Sequence, residues 1–274
     1  MENPSDHRRR GRPRQSQESE PAAINQALDR GLQLLEQLAA EEHPQTLSNL
    51  SIDTGIAAST LYRLLITLQR RGLVEFDSAS QTWSIGIEAF RIGSAFRRRM
   101  NYLEASRQTM RELMTQTGET CNLGVLDGDD VVFLSQVETH HPIRAFFRPG
   151  TRGPLHASGI GKMLLAQLPD NTIQAWTKNH ALAQLTDKTI ICPLALVEEL
   201  TKIKLRGWSL DDEESTLGMR CLAAPIFNEY GEAVAGVSIS GPVTRINDTI
   251  LPQLAKQVCN AAGQITKAIG GVNY

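Results

Sequence analysis

Residues Thr46–Glu75 read "TLSNLSIDTGIAASTLYRLLITLQRRGLVE". A helical period from about Leu47 to Thr54 stops at Gly55, which enters the left-handed conformation of a helix C-cap without a Cβ clash. Ser59 or Thr60 then stands where an N-cap would open a second helix. In that helix Leu61, Leu64, Leu65 and Leu68 recur at i, i+3, i+4 and i+7, so they share one apolar face. Tyr62, Arg63, Ile66, Thr67 and Arg70 fall on the other face, and Gly72 ends the run. Two helices joined at a glycine turn, the second with polar side chains crowded on its N-terminal half, make a helix-turn-helix pattern. Its second helix is the one that enters a DNA major groove.

Upstream, "AINQALDRGLQLLEQLAA" from Ala23 places Ala27, Leu28, Leu32, Leu35 and Leu38 at helical spacing. Downstream, "LVEFDSASQTWSIG" is two β-rich runs around a Ser/Ala/Asp turn, the pattern of a hairpin wing. Three helices and a hairpin make a winged helix. A plain three-helix bundle would explain the leucines but not the opposite face, where Ser59 to Arg71 holds three arginines and no acid. Ser59, Thr60, Tyr62, Arg63 and Arg70 are the candidate DNA contacts. Residues 1–22 carry neither a helical nor a strand period and are expected to be disordered when free. Within them "RRRGRPR" offers Arg8, Arg9, Arg10, Arg12 and Arg14 on an extended basic arm, suited to a narrow A·T minor groove. The competing reading of the arm is a solvated charged tail.

Bulk properties exclude other classes. The 274 residues are 41% hydrophobic, enough for a core, and the net charge of -2 gives no whole-chain case for nucleic acid, so charge distribution is the better test. Cys121, Cys192, Cys221 and Cys259 form no CxxC pair, which argues against a disulfide scaffold or a zinc ribbon. The acidic run Asp211–Glu214 has no histidine near it in sequence and reads as a solvated turn or a salt-bridged strand end rather than a metal site. No metal or cofactor is expected. The polar N-terminus lacks an apolar signal core and no apolar run approaches the ~20 residues of a membrane span. The expectation is a soluble, cytoplasmic protein.

Beyond the wing, "IEAFRIGSAFRRRMNYLEASRQTMRELMTQTG" is helical over most of its length and could pair with a second subunit. From about Cys121, strand-like runs alternate with helices. "NLGVLDGDDVVFLSQV" reads as two strands joined at Asp127–Asp130, and "PIRAFFRPG" as a third strand closed by Pro-Gly. "ASGIGKMLLAQL" and "VEELTKIKLRG" are helices, the latter ended by Gly207. "CLAAPIFNEYGEAVAGVSISGP" is a hairpin turning at Glu229–Glu232, and "TILPQLAKQVCNAAGQITKAIG" is the last helix. Strand hairpins between separate helices indicate an α+β domain with an antiparallel sheet.

Several stretches together, "STLYRLLITLQRRGLV", "TGETCNLGVLDG", "PLHASGIGK", "GWSLDDEESTLGMRCLAAPIF" and "VSISGP", resemble the IclR family of bacterial transcriptional regulators, closest to its glyoxylate- and allantoin-linked members. The resemblance covers the chain from about Ala23. It implies a winged helix-turn-helix, a linker helix and a C-terminal effector domain with a GAF-like sheet. The expected division is a basic arm over 1–22, the DNA-binding domain over 23–86, the linker over 87–103 and the effector domain over 104–274. It further implies a repressor-type, ligand-controlled regulator acting on an operator as a dimer or a dimer of dimers (a tetramer), with a small organic acid such as glyoxylate as effector.

"PLHASGIGK", residues Pro154–Lys162, crowds a histidine, a serine, two glycines and a lysine. A Walker loop needs glycine where His156 stands and Ser or Thr where Met163 stands, and a nucleophile elbow needs GxSxG; both fail. His156 and Ser158 are two residues apart, poor spacing for a direct triad, so His156 reads as a hydrogen-bonded structural histidine. The small residues instead bring backbone N–H groups to a helix start, where an anion is favoured. In "VSISGP", Ser238 and Ser240 share one strand face while Ile239 turns away. The resemblance places Gly159, Ile160, Asp211 and Cys221 with these two serines around the effector. Several family members carry alanine where this chain has Ile160. Two other readings compete: an enzyme acting on a small carboxylate under a regulatory DNA-binding domain, and a ligand-free architectural DNA-binding protein. The first needs a positioned nucleophile and base, which the chain does not offer beyond His156 and Ser158, so no catalytic residue is assigned.

Overall fold

The computed structural model describes residues 25–98 and 101–272. The basic arm, Arg8 to Arg14, lies outside the described residues. The chain divides into two compact units, one ending at Ala95 and the other beginning at Phe96.

In the first unit, helix α1 spans Gln26–Ala40, and the Asn25 side chain caps it by accepting from the Ala27 and Leu28 N–H groups. Strand β1, Gln45–Thr46, leads into α2, Leu47–Thr54, which ends at Gly55 with φ 66° as a left-handed cap requires. Helix α3 runs Ala58–Arg70. Strands β2, Val74–Asp77, and β3, Thr82–Ile85, form the wing, with β1 adding a third strand in the order β1-β3-β2. Asp77 shapes the wing turn by accepting from the Ala79 N–H at 2.9 Å and the Ser80 hydroxyl at 2.6 Å. Leu34, Leu38, Leu50, Leu61, Leu65, Val74 and Trp83 make the core of this unit.

Two local expectations need correction here. Ser59 and Thr60 do not cap α3; Ala57 is its N-cap residue, without a side-chain bond, and Ser59 and Thr60 sit in the first turn. The buried stripe of α1 is Gly31, Leu34 and Leu38, whereas Leu28 and Leu32 are exposed. Gly31 faces α3, since a Cβ there would stand 4.0 Å from a Leu64 methyl.

Helix α4, Ile87–Arg98, carries the chain past the unit boundary, and α5 spans Asn101–Thr117. The second unit is a six-stranded antiparallel sheet in the order β6-β5-β4-β9-β8-β7. Its strands are β4 Thr120–Asp127, β5 Asp130–Val137, β6 Arg152–Pro154, β7 Ser209–Asp212, β8 Met219–Phe227 and β9 Ala233–Pro242. Strand alternation sends Leu123, Leu222, Val237 and Ile239 to one face, where α5 and the final helix α9, Leu251–Ala268, cover them. The other face packs α6, Gly159–Ala166, backed by α7, Asp170–Asn179, and α8, Pro193–Arg206. Sequence reading misses α7 and places a third strand over Pro142–Gly150 that does not form. Residues 142–149 have no ladder partner among the described residues, and the edge strand β6 lies just after them. Their apolar residues pack by side chain instead: Ala145 is buried and Phe147 stacks on Phe133 with centroids 4.5 Å apart.

Candidate functional site

The first unit presents the start of α3. Ser59, Tyr62, Arg63, Thr67 and Arg70 are exposed there, and Thr60 is half-buried. Ile66 is half-buried against the core, so the polar face is narrower than the sequence pattern implies. Neither Arg63 nor Arg70 is held in an ion pair with another described residue. Their guanidinium groups thus carry no intramolecular cost of release before meeting a phosphate or a base edge.

The second unit holds a cavity of about 260 Å³ at the β8–β9 end of the sheet. Asp211, Cys221 and Ser240 line its wall, and Arg144, Phe146 and Phe147 of the strandless segment close over it. Larger hollows of about 420 and 530 Å³ elsewhere in the unit lack this convergence of buried polar groups. Register explains the wall. Cys221 lies opposite Asp211 on β7 and opposite Ser240 on β9, so all three face the same side of the sheet. Ser238, two residues back on that face, is fully buried, and its hydroxyl has no hydrogen-bond partner among the described residues. Ser240 Oγ accepts from Asn122 Nδ2 at 3.2 Å, and Asn122 Oδ1 accepts from Gln136 at 2.8 Å. That chain leaves the Ser240 proton available to an acceptor in the cavity.

The start of α6 abuts the same wall. Ser158 caps the helix, its hydroxyl accepting from the Gly161 N–H at 3.0 Å. A Cβ on Gly159 would stand 2.8 Å from Cys221 Sγ, so only glycine lets the helix start reach the thiol. Ser209 locks this approach by donating to the Gly159 carbonyl at 2.6 Å. Ile160 has a different place from the one the sequence suggests for it. Its side chain is 1% exposed and rests on the sheet at Gly124 and Gly236, where a Cβ would come within 3.3 and 2.9 Å of it. Two glycines on neighbouring strands make room for the isoleucine, so the bulk of its side chain is taken up in the core and does not narrow the cavity.

Beneath the wall lies a charge cluster that the sequence does not announce. Lys162 is 0% exposed; its ammonium donates to the Leu210 carbonyl at 2.6 Å and pairs with the Glu214 carboxylate. Glu214 is buried too, and its second oxygen has no partner among the described residues. Asp211 Oδ1 accepts the Glu214 N–H at 2.7 Å and the Ser215 N–H at 3.3 Å. Burial, with Glu214 nearby, pushes the Asp211 carboxyl up to about 7 despite the opposing pull of Lys162 and those two N–H groups. Burial also raises Glu214, offset in part by Lys162. Asp211 and Glu214 are therefore not a solvated turn: the run closes strand β7 with a buried ion pair. His156 is buried, its Nε2 2.9 Å from the Ala183 carbonyl, and stands outside the cavity wall. Groups of His, Cys, Asp and Glu able to hold a metal ion are absent among the described residues.

Comparison with known proteins supplies the context. Residues 95–267 match the family model of the bacterial transcriptional regulator IclR C-terminal domain, and residues 27–78 match that of the IclR helix-turn-helix domain. The HTH-type transcriptional regulator BhcR of Paracoccus denitrificans is 48% identical over 262 residues, which is 94% of each chain. The transcriptional repressor IclR of Escherichia coli is 40% identical over 249 residues, 90% of this chain and 91% of that one. The crystal structure of the Thermotoga maritima IclR superposes with a TM-score of 0.76 at 27% identity, covering 89% of this chain and 99% of its own.

Proposed function

Because the chain belongs to the IclR family of bacterial transcriptional regulators, a family of DNA-binding proteins rather than enzymes, we propose that a small carboxylate held at Ser238 and Ser240 controls its hold on an operator. The observation that carries this reading is the Ser238 hydroxyl, buried without a partner among the described residues beside a cavity of about 260 Å³. An unsatisfied buried hydroxyl costs about 1–3 kcal/mol, a cost that a bound acceptor removes. Since a cavity of about 150 Å³ holds six non-hydrogen atoms, the volume admits a small ligand of about ten non-hydrogen atoms or fewer. Glyoxylate or a similar oxoacid meets both conditions. Its carboxylate takes the two serine hydroxyls and the backbone N–H groups of Gly159 and Ile160 at the start of α6. Asp211 and Cys221 frame the other end.

The DNA contacts follow from the first unit. Ser59, Thr60, Tyr62, Arg63 and Arg70 meet the major groove, and Arg8, Arg9, Arg10, Arg12 and Arg14 add phosphate or minor-groove contacts. Two copies of the chain read two half-sites, and the acid acts by binding one subunit arrangement better than another. A thermal-shift screen tests the ligand reading. Two- and three-carbon acids should raise the melting temperature, while the amides of the same acids should not. Equal shifts with acid and amide would remove the carboxylate from the argument.

A further inference from the structure

Cys221 has a place in the cavity that a wall residue does not need. The thiol is enclosed by protein, yet the residue keeps partial exposure through the cavity that it lines. Four groups converge on it. Ser240 stands opposite it on β9, Ser238 lies two residues along the same sheet face, the start of α6 comes so close that a Cβ on Gly159 would be 2.8 Å from the sulfur, and Asp211 stands opposite it on β7. The first three are the donors that a developing alkoxide requires. The fourth is a carboxylate whose Oδ1 serves the turn, leaving the other oxygen outside those bonds. Among these groups the Ser238 hydroxyl is fully buried and has no hydrogen-bond partner among the described residues, so it remains to be met by an acceptor.

We propose that Cys221 captures a carbonyl-bearing acid as a reversible hemithioacetal, so that the protein separates oxoacids from hydroxyacids of the same size by a covalent bond. This rests on the small-carboxylate reading above. The step is an addition and needs no oxidant or reductant. The S–H bond breaks and Asp211 receives the proton; the sulfur lone pair forms the S–C bond. The π bond of the carbonyl opens onto its oxygen, which lies among the serine hydroxyls and the Gly159 N–H and takes the proton back from Asp211. Reversal returns free acid and thiol unchanged. Assistance is required because burial, and then the nearby Asp211, raise the thiol to about 11. At neutral pH the group is a thiol and not a thiolate, so it must lose its proton as it adds. Asp211, near 7, is matched to exchanging that proton. A ligand lacking the carbonyl, such as the matching 2-hydroxy acid, keeps the carboxylate contacts and forgoes the bond.

The test uses the full chain and two pairs of probes, glyoxylate with glycolate and pyruvate with lactate. Carbon NMR with the carbonyl carbon labelled should show a protein-bound tetrahedral carbon bonded to sulfur, distinct from the free hydrate. That resonance should vanish in both Cys221→Ser and Cys221→Ala. Calorimetry should show at least one oxoacid bound tenfold or more tightly than its hydroxyacid partner, with the ratio falling to near one in both variants, each oxoacid being compared with its hydroxyacid in the same variant. A bound oxoacid that stays a carbonyl or a hydrate, or a ratio unchanged by loss of the thiol, would overturn the covalent step and leave the carboxylate site standing. Failure of all four acids to bind the unaltered protein would overturn both.

Discussion

Replacing Lys162 by methionine removes the single cation from a buried cluster while keeping the length and most of the volume of the side chain. Lys162 is fully buried, and its ammonium serves both the Leu210 carbonyl and Glu214. Without it, Glu214 is a buried carboxylate with neither oxygen matched to a charge. Breaking a buried pair on one side costs about 3–5 kcal/mol. Glu214 can lower that cost by taking a proton, because burial already raises its pKa and losing Lys162 raises it further. The sign follows from linkage. A carboxyl with a raised folded-state pKa binds more protons in the fold than in the unfolded chain, so stability falls as pH rises through that window. Lys162→Met should therefore lose about 3–5 kcal/mol at pH 8 and clearly less at pH 5. Lys162→Met with Glu214→Gln should recover most of the loss at pH 8. Urea unfolding followed by tryptophan fluorescence reports on this unit through Trp176 and Trp208. A loss below about 1 kcal/mol at pH 8, a cost equal at both pH values, or a double variant no better than the single one would refute the reasoning.

Asp211→Asn should be more stable than the unaltered protein at pH 8, by up to about 4 kcal/mol, with the gain vanishing near pH 4, because the raised Asp211 pKa loses stability between those values; pH-dependent urea midpoints check it. Since an anion placed beside Asp211, Glu214 and Lys162 raises the Asp211 pKa further, effector binding should take up a proton and weaken above pH 7; calorimetry in buffers of different ionisation heat measures this. Gly236→Ala should cost about 1–3 kcal/mol through its clash with the Ile160 Cγ2 methyl, and should cost less in an Ile160→Ala background, where that methyl is absent, as melting temperatures of the four chains will show. Arg63→Ala should lose about 1–3 kcal/mol on the specific operator and much less on random DNA, read by fluorescence anisotropy.

Features set by short-range rules were legible in the sequence. The Gly55 cap, the leucine face of α3, the β2–β3 wing and the inward face shared by Ser238 and Ser240 each follow from spacing within one element. What the sequence hides is the cross-strand register. Asn122 joins Ser240 only because β4 pairs with β9, a contact between residues 118 positions apart. Lys162 looks like part of an anion loop until its ammonium is seen turned away beneath β7, toward Glu214. Ile160 reads as bulk in the effector site until Gly124 and Gly236 are seen beneath it on two neighbouring strands. The error over residues 142–149 has a related origin: apolar alternation signals burial, and here burial is supplied by Phe133 and the cavity rather than by a ladder.

The central claim is that the Ser238–Ser240 wall governs operator binding through a ligand that never touches DNA. Operator affinity should be measured for the unaltered chain and for Ser238→Ala with Ser240→Ala, each with and without the acid that gives the largest thermal shift. The account predicts that the acid changes the affinity of the unaltered chain, while the double variant binds the operator equally well and no longer responds. A double variant that still responds to the acid in full would contradict it and place the controlling site elsewhere in the protein.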